Sequence, residues 1–255
     1  MTGLTLYPSL KDRSVFITGG ASGIGAAFVE AYLQQGMTVG FVDYDEEAGH
    51  ALCEQMKASG LSMPWFRKLD VTDVPALKLA VNDFAKTAGR LDVLVSNVAN
   101  DTRQAALDVT EEEWRGCIAV NLDAAFFAVQ AAVPELKKAG GGSVIIMSSI
   151  TPLLGLPNMS GYATAKSALL GMTKSLANEF GPDNIRVNAI LPGWVITERQ
   201  KRLWYTDEEA RNWQNTVPLK KTILAPDVAK LGLFLAADDS EMITSQHFII
   251  DTGRV

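Results

Sequence analysis

Apolar residues along the chain fall into short β-branched runs separated by longer stretches with the 3.6-residue repeat of amphipathic helices. Runs at 14–18, 38–43, 64–69, 91–95, 143–147, 185–191 and 247–250 predict seven buried strands. The stretches between them predict helices over about 26–35, 45–59, from 74 onward, 111–138, 161–180 and 225–237. Regular strand–helix alternation is the pattern of an α/β fold with a mostly parallel sheet. No repeat or linker divides the sequence, so residues 1–255 are read as one domain. Residues 198–221 are charged and aromatic without a clean period, which predicts a mobile substrate lid at about 194–221.

The helical stretch 111–138 is apolar over much of its circumference, with Trp114, Cys117, Val120, Phe126, Phe127 and Val129. Such a helix is expected to pack on the sheet with one face and on another subunit with the other. Asn121 is its polar exception. Left unpaired, a buried amide costs about 1–3 kcal/mol, so a backbone or water partner is expected for it. Cys117, on the same stretch, reads as a small core residue.

The first strand runs into Gly19-Gly20-Ala21-Ser22-Gly23-Ile24-Gly25 and then a helix. Glycines at 19, 23 and 25 let a backbone approach a pyrophosphate, and the helix start offers free N–H groups to it. Asp43 closes the second strand eighteen residues after Gly25, near the spacing at which a carboxylate reaches the adenosine ribose hydroxyls. No Lys or Arg lies between Arg13 and Lys57, so a ribose 2′-phosphate would find no local cation; NAD is the expected cofactor. Asp70 either accepts from the adenine amino group or N-caps the helix that begins near Val74. Two polar loops, Ser96-Asn97-Val98-Ala99-Asn100-Asp101 and Pro192-Gly193-Trp194-Val195-Ile196-Thr197, follow strands at the edge where open α/β sheets bind ligands.

Tyr162 and Lys166 stand one helical turn apart on one face. At an effective dielectric of about 20, charges about 4 Å apart attract by roughly 4 kcal/mol, enough to pull a phenol well below its ordinary pKa and make it a base. Taken alone, the pair is also compatible with a solvated helix face.

Composition narrows the partners. With a net charge of −6, 47% hydrophobic and 20% charged residues, the chain suits a small-molecule ligand better than nucleic acid or an anionic membrane. Its two cysteines, Cys53 and Cys117, form neither a disulfide framework nor a zinc motif, and His50 and His247 have no ligand partners at useful spacing, so no metal is expected. A cytoplasmic location is the simplest reading: the start carries no signal, and no apolar run reaches the roughly 18 residues of a membrane span.

With these residues in place, the chain resembles the short-chain dehydrogenase/reductase family over essentially its whole length. Thr18-Gly19-x-x-x-Gly23-Ile24-Gly25 is similar to that family's cofactor turn; Ser149 precedes Tyr162-x-x-x-Lys166 as its catalytic set does, and Asn121 matches its fourth catalytic position. The resemblance implies a single-domain, Rossmann-type, doubly wound fold whose seven-stranded, mostly parallel sheet carries helices on both faces. It also implies that Tyr162 removes the hydroxyl proton, Ser149 holds the oxygen, Lys166 lowers the Tyr162 pKa and binds the nicotinamide ribose, and Asn121 holds a relay water. Gly19, Ser22, Gly23, Ile24, Gly25, Asp43, Asp70, Val71, Asn97, Tyr162, Lys166, Pro192, Gly193, Val195 and Thr197 become the expected cofactor contacts. Two positions depart from the family pattern: Ala99 and Thr252 each stand where glycine is usual.

Shorter stretches resemble bacterial aldose 1-dehydrogenases acting on xylose, arabinose or galactose: Tyr7-Pro8-Ser9-Leu10-Lys11, Asn100-Asp101-Thr102-Arg103, Thr197-Glu198-Arg199-Gln200 with Trp204-Tyr205-Thr206, and Ile250-Asp251-Thr252-Gly253. That likeness implies NAD-dependent oxidation of an anomeric hydroxyl to a sugar lactone; the long apolar helices at 111–138 and 161–180 predict a dimer or, by the family resemblance, a homotetramer. Asn100, Arg103, Asn158 and Trp194, joined by Ser149 and Tyr162, are the expected substrate contacts, since a polyol pocket needs directed polar groups and an aromatic face. Leu153, Leu154, Leu156, Met159 and Trp194 support a rival substrate, a hydrophobic cyclic or steroid-like secondary alcohol. A non-catalytic cofactor-binding protein is the reading from another class.

Overall fold

A computed structural model describes residues 4–255. Seven strands, β1 (Ser14–Thr18), β2 (Thr38–Asp43), β3 (Trp65–Lys68), β4 (Val93–Ser96), β5 (Gly142–Met147), β6 (Ile185–Pro192) and β9 (His247–Ile250), form one parallel sheet in the order β3-β2-β1-β4-β5-β6-β9. The central strands are buried on both faces, which is why they read as unbroken Val/Ile/Leu/Phe runs rather than alternating ones.

One face is covered by α1 (Gly23–Gln34), α2 (Glu46–Ala58) and α10 (Ala225–Ala236), with Phe28, Tyr32, Leu52, Met56 and Leu233 in a common core. The other is covered by α3 (Val74–Ala88), α5 (Ala124–Lys138) and α7 (Ser160–Phe180), through Leu77, Phe84, Val129, Leu136 and Leu169. The strand order reverses between β1 and β4. Crossovers leave in opposite directions there, and the crevice at the strands' carboxyl ends is the ligand site of a doubly wound sheet.

The helix expected over 111–138 is continuous, formed of α4 (Glu111–Ile118), a π-type turn at Ala119–Asp123 and α5. By length and composition it is apolar enough to cross a membrane, contrary to the expectation that no segment is. In the fold, Ala128, Val129, Ala132 and Leu136 are buried beneath it. Trp114 and Phe126 stay about two-fifths exposed, 39% each, and Trp114 lines the cleft beside Tyr162 together with Cys117 and Gly161.

Residues after β6 leave the sheet. They form β7 (Val195–Ile196), α8 (Glu198–Leu203), α9 (Asp207–Thr216) and β8 (Ile223–Leu224), with β7 and β8 paired as a small parallel ribbon. The sequence pattern predicts no helix here, but each has a cap: Thr197 accepts from the Gln200 N–H at 3.3 Å and Thr206 from the Glu209 N–H at 3.1 Å. Both caps begin a Thr-x-x-Gln/Glu sequence, the signal by which these helices could have been found. A further single-turn helix, α6 (Thr151–Leu154), follows β5.

Candidate active site

The turn after β1 is a cradle that side chains would fill. Gly19 sits at φ +70°, and a Cβ on Gly25 would lie 1.8 Å from the Gly19 carbonyl oxygen. Helix α1 opens immediately beyond with exposed Ser22 at its N-cap, no side-chain cap and no acid in its first turn, leaving its N–H groups to an anionic ligand. Ile24 turns into the core. Asn97 holds this turn from behind: its amide donates to the Thr18 and Gly19 carbonyls at 3.2 and 2.9 Å, and its N–H donates to Thr18 Oγ1 at 3.0 Å. It therefore shapes the cradle, and its side-chain donors are spent within it. These features fit the pyrophosphate of a dinucleotide.

Asp43 is buried at the end of β2, where its carboxylate accepts from the Ala21 N–H at 2.9 Å and the Asp45 N–H at 3.1 Å. The structure corrects one premise about its surroundings. Lys68 lies opposite Asp43 in the β2–β3 register, a cation brought near by the sheet rather than by sequence, although its ammonium is paired with Glu46 at 3.0 Å. The capping alternative for Asp70 is also overturned. Asp73 caps α3, accepting from the Ala76 N–H at 3.0 Å, while Asp70 closes a turn on the Thr72 N–H and hydroxyl and stays exposed. Val71 beside it is buried.

On the far side, Pro192 ends β6 and the Gly193 N–H donates to the Ile250 carbonyl at 2.9 Å. The Val195 side chain belongs to the core, and the Thr197 methyl faces Gly23 across the crevice. Ala99 has no left-handed φ, so its Cβ adds bulk without strain. Thr252 does: it adopts φ +63°, the conformation that favours glycine, and is held there by Asp251, whose carboxylate accepts from the Gly253 and Val255 N–H groups at 2.7 and 2.8 Å.

The four expected catalytic residues come from three elements that meet at the carboxyl ends of β4 and β5. Asn121 sits in the π-type turn, almost fully buried at 1% exposure, and has the backbone partners expected of it: Oδ1 accepts from the Asn100 N–H at 2.9 Å, while Nδ2 donates to the Asn100 and Cys117 carbonyls, both at 3.0 Å. Ser149 follows β5, its hydroxyl 2.9 Å from that of Thr151 and accepting from the Thr151 N–H at 3.1 Å. Thr151 is a neighbour that sequence reading missed. Tyr162 and Lys166 share a face of α7 as predicted, with the ammonium 5.7 Å from the centre of the phenol ring.

That geometry corrects the electrostatic expectation. Lys166 is 1% exposed, has no carboxylate partner, and donates to the Met147 carbonyl at 2.8 Å. Burial pushes its ammonium down to about 8, with the Cys117 thiol opposing the shift. Although part of its ring meets solvent, Tyr162 is pushed up to about 12 by desolvation; the Ser149 hydroxyl pulls the other way, Asp101 and Cys117 push it further up, and Arg199 lowers it. Desolvating the phenolate outweighs the attraction of a lysine turned toward a carbonyl. Cys117 is itself pushed up by burial, which suits a packed thiol rather than a nucleophile.

The expected substrate residues divide. Trp194 borders the crevice, donating through its indole N–H to Gln200 Oε1 at 2.9 Å and packing near Tyr205 and Trp213, with ring centres 5.8 and 6.0 Å away. Asn100 lies beside Asn121 with its side chain turned to Thr102 and Arg199. Arg103 is spent over the Trp204 ring, 4.2 Å from its centre. Asn158, at φ +61°, is exposed and tied by its carbonyl to the Gln104 N–H at 2.8 Å. Absent from the expected set is Asp101, whose carboxylate accepts from Arg199 at 2.9 Å and Gln200 at 2.8 Å.

A glycine cradle at the strand-order reversal, a carboxylate at the end of β2, and a Ser, Tyr and Lys at the next strand end together make a nicotinamide-dependent oxidoreductase site acting on a CH–OH group. The chain belongs to the short-chain dehydrogenase/reductase family: a family model described as "Enoyl-(Acyl carrier protein) reductase" matches residues 19–254. It is 47% identical over 247 residues to a probable galactose dehydrogenase, GalD, of Rhizobium meliloti, covering 97% of this chain and 96% of that one. It is 42% identical over 248 residues to D-xylose 1-dehydrogenase of Caulobacter vibrioides, covering 97% and 98%. Carveol dehydrogenase of Mycobacterium avium, solved in complex with NAD, superposes with a TM-score of 0.90 at 28% identity over 97% of this chain and 99% of that one.

Proposed function

We propose that the protein oxidises the anomeric hydroxyl of an aldose, a pentose or hexose, to the sugar lactone with NAD. The observation that carries this reading is the composition of the rim beside Tyr162: Asp101, Asn100, Arg199 and Gln200 supply planar polar groups, and Trp194 with Tyr205 supplies aromatic faces. Vicinal hydroxyls need the first and the C–H side of a sugar ring the second. Both sugar dehydrogenases matched over nearly their whole length support the same substrate class.

In this reading Tyr162 takes the hydroxyl proton while Ser149, steadied by Thr151, orients the oxygen. NAD, when bound, would supply the hydride acceptor and a positive charge favouring the phenolate. Lys166, held on the Met147 carbonyl, would bind the nicotinamide ribose, and Asn121 shapes the Asn100 loop. Asp43 would accept from the adenosine ribose, which favours NAD over its 2′-phosphorylated relative. The segment 194–221 acts as the substrate lid, and the exposed part of the 111–138 helix around Phe126 serves a homotetramer interface.

The test is a panel of aldoses and cyclic secondary alcohols offered with NAD and with NADP, followed by the absorbance of the reduced nicotinamide. Turnover of an aldose with NAD is expected. Turnover confined to hydrophobic alcohols would transfer the assignment to the rival substrate, which exposed Leu153 and Leu156 beside the site favour. Light scattering at micromolar concentration checks the tetramer.

A further inference from the structure

Asn100 and Asp101, adjacent in the chain, are gripped from opposite sides. Asn121 holds Asn100 by both backbone groups, at 2.9 and 3.0 Å. Asp101 holds α8: one carboxylate oxygen takes Arg199 at 2.9 Å, the other takes Gln200 at 2.8 Å, and Gln200 in turn accepts the Trp194 indole N–H at 2.9 Å. Asn100 Oδ1 adds a contact to Arg199 at 3.2 Å. A two-residue stretch thus ties the segment after β6 to the buried amide beside the catalytic helix.

We propose that Asp101 is a positioning residue for Tyr162: it latches α8 to the loop that Asn121 holds, so that closing the lid and completing the charge environment of the phenol are one event. The inference rests on Tyr162 being the base.

The groups facing Tyr162 come from every element around it. Lys166 lies on its own helix, Cys117 on α4, the Ser149 hydroxyl after β5, Asp101 after β4 and Arg199 on α8. Of the two charges that form the latch, Asp101 holds the phenol's proton more tightly and Arg199 loosens it. They offset each other only while paired. Opening the lid carries Arg199 away and leaves the carboxylate alone beside the phenol, so the open enzyme has the poorer base. The pair is partly exposed, with side-chain exposures of 43% for Arg199 and 21% for Asp101, so water can replace its contacts and the latch can release. Trp194 reports the state of the latch: its indole N–H donates to the same Gln200 amide that donates to Asp101, so a shift of α8 changes the surroundings of the indole.

Asp101→Ala, Asp101→Asn and Arg199→Gln test this by two readouts. In the cofactor-free protein, tryptophan emission is expected to shift to the red in Asp101→Ala and Arg199→Gln as the lid loosens. In turnover, Asp101→Ala is expected to lose about tenfold or more in kcat/KM. The alkaline rise of kcat/KM should move to higher pH in Arg199→Gln, which leaves Asp101 unopposed, and to lower pH in Asp101→Asn. Residues that only stabilised the fold would not move that rise in opposite directions. Unshifted emission in both lid-loosening variants overturns the latch whatever the substrate, and wild-type pH profiles in Arg199→Gln and Asp101→Asn overturn the coupling to Tyr162. Should Asp101→Ala fail to fold, the other two variants decide both points. A wild-type protein that turns over no aldose refutes the sugar assignment and leaves the emission result standing.

Discussion

Lys166→Met should make the folded protein more stable while removing its activity. The Lys166 ammonium is 1% exposed, lacks a counter-ion and has one hydrogen bond, to the Met147 carbonyl. Its pKa falls from an ordinary 10.5 to about 8. At about 1.4 kcal/mol per pH unit, keeping it charged near neutral pH costs the fold about 3 kcal/mol. Methionine has similar length and no charge, and leaving the Met147 carbonyl without its donor returns about 1–2 kcal/mol of that gain. The net is about 1–2 kcal/mol, or a rise in Tm of about 2–8 °C for a chain of this size.

The pH dependence distinguishes this cause from better packing. Below pH 8 both folded and unfolded chains hold the lysine proton, and the folded one carries the whole cost. Between 8 and 10.5 only the unfolded chain holds it, so this group makes wild-type stability rise with pH. Lys166→Met lacks that rise, and its advantage should disappear by about pH 10, just before the raised Tyr162 pKa begins to act in the opposite direction, between 10 and about 12. Urea unfolding of the cofactor-free proteins at pH 7 and pH 9.5 measures both. A variant less stable than wild type at pH 7, or one with the same pH slope, would refute the reasoning.

Tyr162→Phe should lose about a hundredfold or more in kcat with little change in Tm, and wild-type oxidation should accelerate from neutral into alkaline pH because the base form lies above neutrality; a flat profile from pH 6 to 9 would contradict the shift. Asp43→Ala should raise the KM for NAD and narrow the preference over NADP, all the more with Glu46→Gln releasing Lys68; steady-state kinetics with both cofactors checks this. Thr252→Gly should stabilise the fold by about 1 kcal/mol in a thermal melt, since it relieves a β-branched residue at φ +63° at the cost of a more flexible unfolded chain.

What was legible in the sequence was local. The central strands are buried on both faces while the edge strands β3 and β9 are only partly buried, and all seven runs fall within about two residues of where the structure places them. The glycine turn with Asp43, and the spacing of Ser149, Tyr162 and Lys166, could be read because each lies within neighbouring elements of one strand–helix unit, whereas Asn121, on the helix before β5, was suggested only by the family resemblance. The rest depends on register and on contacts between distant segments. Lys68 reaches Asp43 through parallel pairing 25 positions on, and Asp101 meets Arg199 and Gln200 across nearly 100 residues. Asp73 rather than Asp70 caps α3 because the helix begins at Val74, leaving Asp70 to a tighter turn of its own. For Tyr162 and Lys166 the one-turn spacing was correct, but spacing says nothing about the carbonyl that claims the ammonium or the dehydration that opposes the phenolate.

The π-type turn at Ala119–Asp123 adds one residue to a helical turn, which swings everything after it by about 100° relative to a uniform α-helix. The same rod therefore presents one face along α4 and another along α5. Ala128, Val129 and Leu136 can lie flat on the sheet while Cys117 and Asn121 look toward the reaction centre. The site's amide is placed by a counting irregularity that residue composition does not encode. Deleting any single residue between 119 and 123 would regularise the helix, improve its backbone hydrogen bonding and leave its hydropathy almost untouched, yet it would put one of the two faces out of phase. Insertions and deletions in this segment should therefore be tolerated far less well than substitutions.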